Sequence, residues 1–220
     1  MSSDKVRNPY LSAIYQQYLE DQDAGLFISK VSRCYTQGTL ERLVVHPRRE
    51  VRRAAVLALG SLGDYNANHC LGRALLDEDR AVRTLAENSI RSVWCRVGSE
   101  EHCRELGVVM RLCGAKQYQQ AAEQATELIA KAPWVGEAWY QRALAHFHLR
   151  RFAEAIRDGH EALEVNPYHF LAAAIMGQAY LALGNNVSAL ESFRRALRLN
   201  PDLESVRGHV VRLARTVEDA

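Results

Sequence analysis

Apolar positions recur at helical spacing along the 220-residue chain. Leu11, Ile14, Tyr15, Tyr18 and Leu19 form one stripe, and steps of three and four residues predict an amphipathic helix. A second helical stretch, GLFISKVSRCY, begins beyond Asp23-Ala24-Gly25. Two short apolar segments, residues 40–45 and 71–76, each precede a longer helical one that opens at Val51 or Val82. Towards the other end, Val206, Val210, Leu213 and Val217 share one face of residues 204–217 and leave Arg207, Arg212 and Arg215 to water. The pattern predicts an all-α protein.

Prolines divide its second half. Pro133, Pro167 and Pro201 stand thirty-four residues apart, and each marks a point where a helix cannot continue. Ala121, Ala155 and Ala189 recur at the same period, as do Leu128, Ala162 and Ala196, so small groups sit where two helices would touch. Residues 170–203 carry Met176-Gly177, Tyr180, Ala189, Phe193 and Pro201, with Ala173 where a tryptophan would stand. Residues 136–169 carry Trp139, Ala143, Ala155, Ala162 and Pro167, with His146 in the tyrosine column and Gly159 in the phenylalanine column. Residues 102–135 keep Val108, Val109, Leu112, Ala121, Ala125 and Pro133. This half of the chain resembles a three-repeat tetratricopeptide (TPR) array, closed by a capping helix over 204–217. Each repeat is a helical hairpin whose apolar face stays uncovered until a neighbour stacks on it.

A different recurrence precedes it. VRRAAVLALGSLGD from Val51 and VRTLAENSIRSVW from Val82 align at an offset of thirty-one residues, with Ala55 over Ala86. Through these strings the region resembles the short HEAT-like repeats named after phycobilisome lyases; the second copy departs from them at Leu85, Glu87 and Trp94. The expected organisation is an amino-terminal cap and HEAT-like repeats over 1–97 (repeats at about 36–64 and 65–97), then the TPR repeats and cap over 98–220. Gly98 ends one helix at the junction, Ser99 caps the next, and Glu100 and Glu101 occupy its first turn. Stacking of both families predicts one right-handed α-α superhelix, a solenoid of HEAT-like followed by TPR hairpins.

Composition narrows the function without naming it. With 28 basic against 26 acidic residues, the net charge of +2 gives too weak a field to argue for nucleic acid or anionic lipid. The longest apolar run, residues 170–176, is far short of the ~20 residues that span a bilayer as a helix. The start, MSSDKVRNPY, has no apolar stretch behind it and reads as neither a signal peptide nor a myristoylation site, so the cytoplasm is the expected location. The five cysteines contain no CxxC pair and suit a reduced, structural role. Cys95, His102 and Cys103 come nearest to metal-ligand spacing, but adjacent helical residues point about 100° apart. His146 and His148 are not an i, i+4 pair, and His160 with Glu164 suits a solvated face. No Ser-His-Asp arrangement, phosphate loop or calcium loop is present. No metal, cofactor or catalytic residue is expected, and the protein reads as non-enzymatic.

The basic string from His46 to Arg53 is the best nucleic-acid candidate. One repeat later the same turn reads Asp77-Glu78-Asp79, whereas a phosphate-tracking groove needs one sign throughout. Local pairing is expected instead, Arg83 with Asp79 and Arg52 with an acid such as Asp64.

The TPR resemblance implies that the first helix of each repeat lines a groove. Carried onto this chain, the partner-binding residues are Leu106, Met110, Tyr140, Leu144, Phe147, His148, Gln178 and Leu181. Family members that clamp a carboxyl-terminal peptide do so through Lys, Asn and Arg; the matching positions here are Leu106, Met110, Gln141, Leu171 and Ile175. The expected function is a scaffold that binds an apolar peptide or helix of a protein partner. Two alternatives are a nucleic-acid-associated HEAT-repeat protein and an accessory subunit of a chromophore-lyase-like complex. Whether the groove is open or filled by the chain's own helices is left open, as is the oligomeric state.

Overall fold

The structure, a computed structural model, describes residues 9–218, with the side chains of Val217 and Glu218 outside that description; the leader reading of residues 1–8 falls outside it too. Among the described residues the chain is entirely helical. The elements are α1 (Tyr10–Asp21), α2 (Ala24–Cys34), α3 (Gln37–Leu43), α4 (Arg49–Leu62), a 3-10 turn at Tyr65–Ala67, α5 (Asn68–Ala74), α6 (Arg80–Trp94) and α7 (Glu100–Gly114). They continue with α8 (Tyr118–Lys131), α9 (Gly136–His148), α10 (Phe152–Val165), α11 (Phe170–Ala182), α12 (Asn186–Leu199) and α13 (Glu204–Glu218). The chain divides into two compact units between Val93 and Trp94, four residues ahead of the 97/98 boundary expected from the sequence. The shift follows from Trp94, whose side chain packs on His169 and Phe170 of the second unit.

In the first unit α4 packs on α1, α2 and α3. Its small residues also allow a close approach to α6: a Cβ on Gly60 would lie 2.4 Å from Ser89 Oγ, and that hydroxyl donates to the Val56 carbonyl at 3.0 Å. The thirty-one-residue recurrence has a hydrogen-bonded counterpart. Arg52 Nη1 donates to the carbonyls of His46 and Pro47 at 3.1 and 3.2 Å. Arg83 Nη1 does the same one repeat later, to Asp77 and Glu78 at 2.9 and 3.3 Å.

The charge partners differ from the local pairs expected. Arg52 grips Asp77 through two bonds of 2.8 Å and reaches Glu78 at 3.1 Å, while Asp64 is held by Gln37 at 2.6 Å. Asp79 belongs to Arg53, at 2.8 and 2.7 Å, rather than to Arg83. The reason is stacking: the turn before α6 lies against the start of α4, so acids twenty-five and twenty-six residues away reach the two guanidinium groups.

The Arg53 guanidinium, helped by the Val82 N–H, holds the Asp79 carboxyl from its ordinary 3.8 down to about 2. A carboxyl depressed by folding contributes stability that is complete above the unfolded value and fades as pH falls towards the folded one. The first unit should therefore lose stability between pH 4 and pH 2. Acid titration followed by circular dichroism should show that this limb is weakened in Asp79→Asn.

The second unit consists of three hairpins, α7/α8, α9/α10 and α11/α12, followed by α13. α7 packs on α9 and α9 on α11, while α8, α10 and α12 pack chiefly on these inner helices. Ser99 caps α7 as expected, its Oγ accepting the His102 N–H while His102 Nδ1 accepts the Ser99 N–H, both at 3.2 Å. Each inner helix ends alike: Lys116, Arg150 and Gly184 take left-handed φ values of 60°, 62° and 76°. The following residues, Gln117, Arg151 and Asn185, donate back to the carbonyls of Leu112, His146 and Tyr180 at 2.9, 2.9 and 3.0 Å. That is the Schellman stop, repeated every thirty-four residues. Ala121, Ala155 and Ala189 are fully buried, and a Cβ on Gly177 would sit 2.6 Å from the Phe193 ring, so only glycine admits that contact. Val206 and Leu213 bury α13 against the third hairpin.

Candidate partner-binding groove

The inner helices carry all eight groove residues named from the sequence, and five of them lie in or beside three packing clusters. Leu106 is a correction. At 1% exposure it lies among Leu128, Ile129, Val135 and Ala138, as core rather than lining, because its face of α7 is closed by α8 and the start of α9. Met110 borders the same cluster half-buried, its sulfur 3.8 Å from the Cys95 thiol. Leu144 packs on Cys113, Ala121, Ala122 and Ala145. His148 is exposed yet stacked on Tyr118, with ring centroids 4.2 Å apart; partial burial, with Lys116 adding to it, holds its pKa below the ordinary histidine value. Tyr140 and Leu181 border the core of the third repeat. Phe147 rests on Phe152 at 5.6 Å, and Gln178 is half-buried.

The sequence reading missed a buried polar cluster at the amino-terminal ends of α9 and α11. Glu137, Gln141 and His169 are all buried. Glu137 accepts from Gln141 Nε2 at 2.7 Å through one oxygen and faces His169 Nε2 at 3.1 Å through the other. His169 Nδ1 accepts the Ala172 N–H at 3.2 Å, capping α11, which leaves Nε2 as the nitrogen that donates to Glu137. Trp94 lies parallel to the imidazole at 4.4 Å, and Tyr140 meets it at 4.9 Å. At this end, therefore, the chain's own side chains fill the space between the inner helices. The partly exposed apolar residues Leu144, Phe147 and Leu181 lie in the carboxyl-terminal halves of α9 and α11. The one available signal was Trp94, which breaks the HEAT-like pattern.

The groups weighed for metal chemistry do not converge. Cys95 turns to Met110, Cys103 Sγ points to the Val97 carbonyl at 3.9 Å, and His102 is spent on the α7 cap. Among the described residues no three His, Cys, Asp or Glu side chains form a metal-binding group. Burial pushes the Cys70 and Cys113 thiols up to about 11, so both stay protonated at neutral pH. No described helix is long and apolar enough to cross a membrane.

Hairpins of thirty-four residues with these small-residue columns and Schellman stops match the family model of the tetratricopeptide repeat over residues 136–169 and 171–203. These two segments are TPR repeats. Among curated proteins, the small glutamine-rich tetratricopeptide repeat-containing protein 2 of Saccharomyces cerevisiae is 30% identical over 87 residues, 40% of this chain and 25% of its own length. Tetratricopeptide repeat protein 37 of Xenopus laevis is 35% identical over 65 residues, 30% of this chain and 4% of its own. The Hsp70-Hsp90 organizing protein of Triticum aestivum is 27% identical over 93 residues, 42% of this chain and 16% of its own. The chain thus spans a quarter or less of the length of these relatives.

Among solved structures, the first TPR of Spaghetti (RPAP3) bound to the HSP90 peptide SRMEEVD aligns with a TM-score of 0.53 at 22% identity, over 56% of this chain and 97% of that one. The first TPR domain of human RPAP3 gives 0.51 at 21%, over 54% and 93%. These likenesses establish the TPR fold. The HEAT-like reading of the amino-terminal unit gains no support from the family match, which begins at Gly136.

Proposed function

We propose that the TPR unit is a non-catalytic protein-interaction module that takes an apolar peptide, or the apolar face of a helix, along the carboxyl-terminal halves of α9 and α11. The observation that supports it most is the placement of Leu144, Phe147 and Leu181, all half-buried, in those halves of the inner helices. Aromatic and aliphatic anchors of this kind give large contact area at modest ordering cost. A relative binds an acidic HSP90 peptide, but the positions where clamp-type family members hold cations are Leu106, Met110, Gln141, Leu171 and Ile175 here. No charge stands there to meet a terminal carboxylate, which favours an apolar ligand. The nucleic-acid alternative is disfavoured because Arg52 and Arg53 are already engaged by Asp77 and Asp79. For the first unit, the matched bonds of Arg52 and Arg83 support reading it as two HEAT-like hairpins.

A displayed library of random peptides, selected on the full chain, should enrich sequences with apolar residues at i, i+3 and i+4. Replacing Leu144 and Phe147 together by alanine should weaken the selected peptides at least tenfold, while unfolding by urea shows a loss of no more than about 2–3 kcal/mol for two half-buried side chains. Enrichment of acidic peptides with a free carboxyl terminus would overturn the reading.

A further inference from the structure

The outer face of the TPR unit carries a second concavity that the proposed groove does not use. It lies between α10 and α12, over α11, and has a volume of about 490 Å³, within the range of small-ligand pockets. Ala173, in the column where a tryptophan would stand, lines it. Where the third repeat places the Phe193 ring, the second has Gly159, thirty-four residues earlier. Met176 moves into the space that ring would take: a Cβ on Gly159 would lie 2.4 Å from Met176 Cγ. The hollow is floored by the buried residues Leu163, Ala173 and Met176.

The rim is charged. Arg194, Arg195 and Arg198 line it from α12, and His160 from α10, against one acid, Glu191. None of the three arginines makes an ion pair or side-chain hydrogen bond among the described residues, unlike Arg52, Arg53 and Arg142, which each hold a carboxylate. An apolar floor below unpaired guanidinium groups complements a ligand with an apolar body and an anionic head.

We propose that this hollow binds a small amphipathic anion, an aliphatic or aromatic body carrying a carboxylate or a phosphate. The body rests on the apolar floor of Leu163, Ala173 and Met176, and the head meets Arg195 and Arg198. This site is separate from the inner-helix groove and stands or falls independently of it.

Calorimetric titration of the full chain with octanoate and with octyl phosphate, below micelle formation, tests the proposal, with octanol and inorganic phosphate as single-property probes. Saturable binding is expected for at least one of the two anions, and which binds more tightly distinguishes a carboxylate ligand from a phosphate one. Octanol and inorganic phosphate should each bind at least tenfold more weakly. The double variant Arg195→Ala/Arg198→Ala changes only residues at the rim and should lose about tenfold or more in affinity. Arg91→Ala, an exposed arginine on α6, should bind as the unaltered chain does. The proposal is overturned if neither anion saturates, if octanol or inorganic phosphate binds as tightly as the amphipathic anions, or if the double variant binds them unchanged.

Discussion

Replacing Trp94 by alanine should destabilise the TPR unit by about 3–5 kcal/mol, the usual cost of deleting a large aromatic side chain from a core. The indole is 1% exposed, stacks on His169 at 4.4 Å and meets Phe170 at 5.4 Å. Its removal opens a cavity and also uncovers the Glu137–His169 hydrogen bond, which water would then contest. Urea unfolding followed by circular dichroism measures the loss. Trp134→Ala is the control, because that ring is 53% exposed and surface substitutions fall within about 0.5 kcal/mol. Equal effects from the two would show that Trp94 is not part of the TPR core.

The second large effect is expected in the first unit. Arg52→Met should cost about 3–5 kcal/mol, the penalty for removing one partner of a buried ion pair. The methionine keeps the apolar stem but gives up bonds to Asp77, Glu78, His46 and Pro47. The Asp77 carboxylate, 12% exposed, then keeps its desolvation cost and loses the cation that offset it. Adding Asp77→Leu should recover a substantial part of the loss, since replacing both members of such a pair by apolar groups is often neutral or better. A double-mutant cycle from denaturant midpoints reads the coupling, and a coupling near zero would show that the pair is screened as a surface contact is.

The second unit was legible because its periodicity has a simple physical cause. Prolines stop helices, alanines admit close approach, and both recur wherever hairpins repeat. Leu106 was misplaced because membership of an inner-helix stripe fixes a direction in the repeat, and not whether the next hairpin already covers it. The Trp94, Glu137, Gln141 and His169 cluster was invisible for a related reason. Its members come from α6, α9 and the turn before α11, and no spacing rule joins residues forty or seventy apart. The partners of Arg52 and Arg53 were closer to hand. Aligning the two repeats sets the basic turn at His46 over the acidic turn at Asp77, a sign inversion that by itself argues only against a phosphate groove. Stacked repeats bring the two turns together, so the opposed charges neutralise each other across the seam.

The three turns at Lys116, Arg150 and Gly184 show what has been kept between copies and what has not. A left-handed residue other than glycine costs roughly 1 kcal/mol, and the chain accepts that cost twice. The first repeat has drifted furthest in its side chains, yet it reverses direction through the same backbone step as the other two. What is inherited from hairpin to hairpin is therefore the path of the main chain. The side-chain columns by which the family is ordinarily recognised are the part left free to change, as Gly159 in the phenylalanine column and Ala173 in the tryptophan column show.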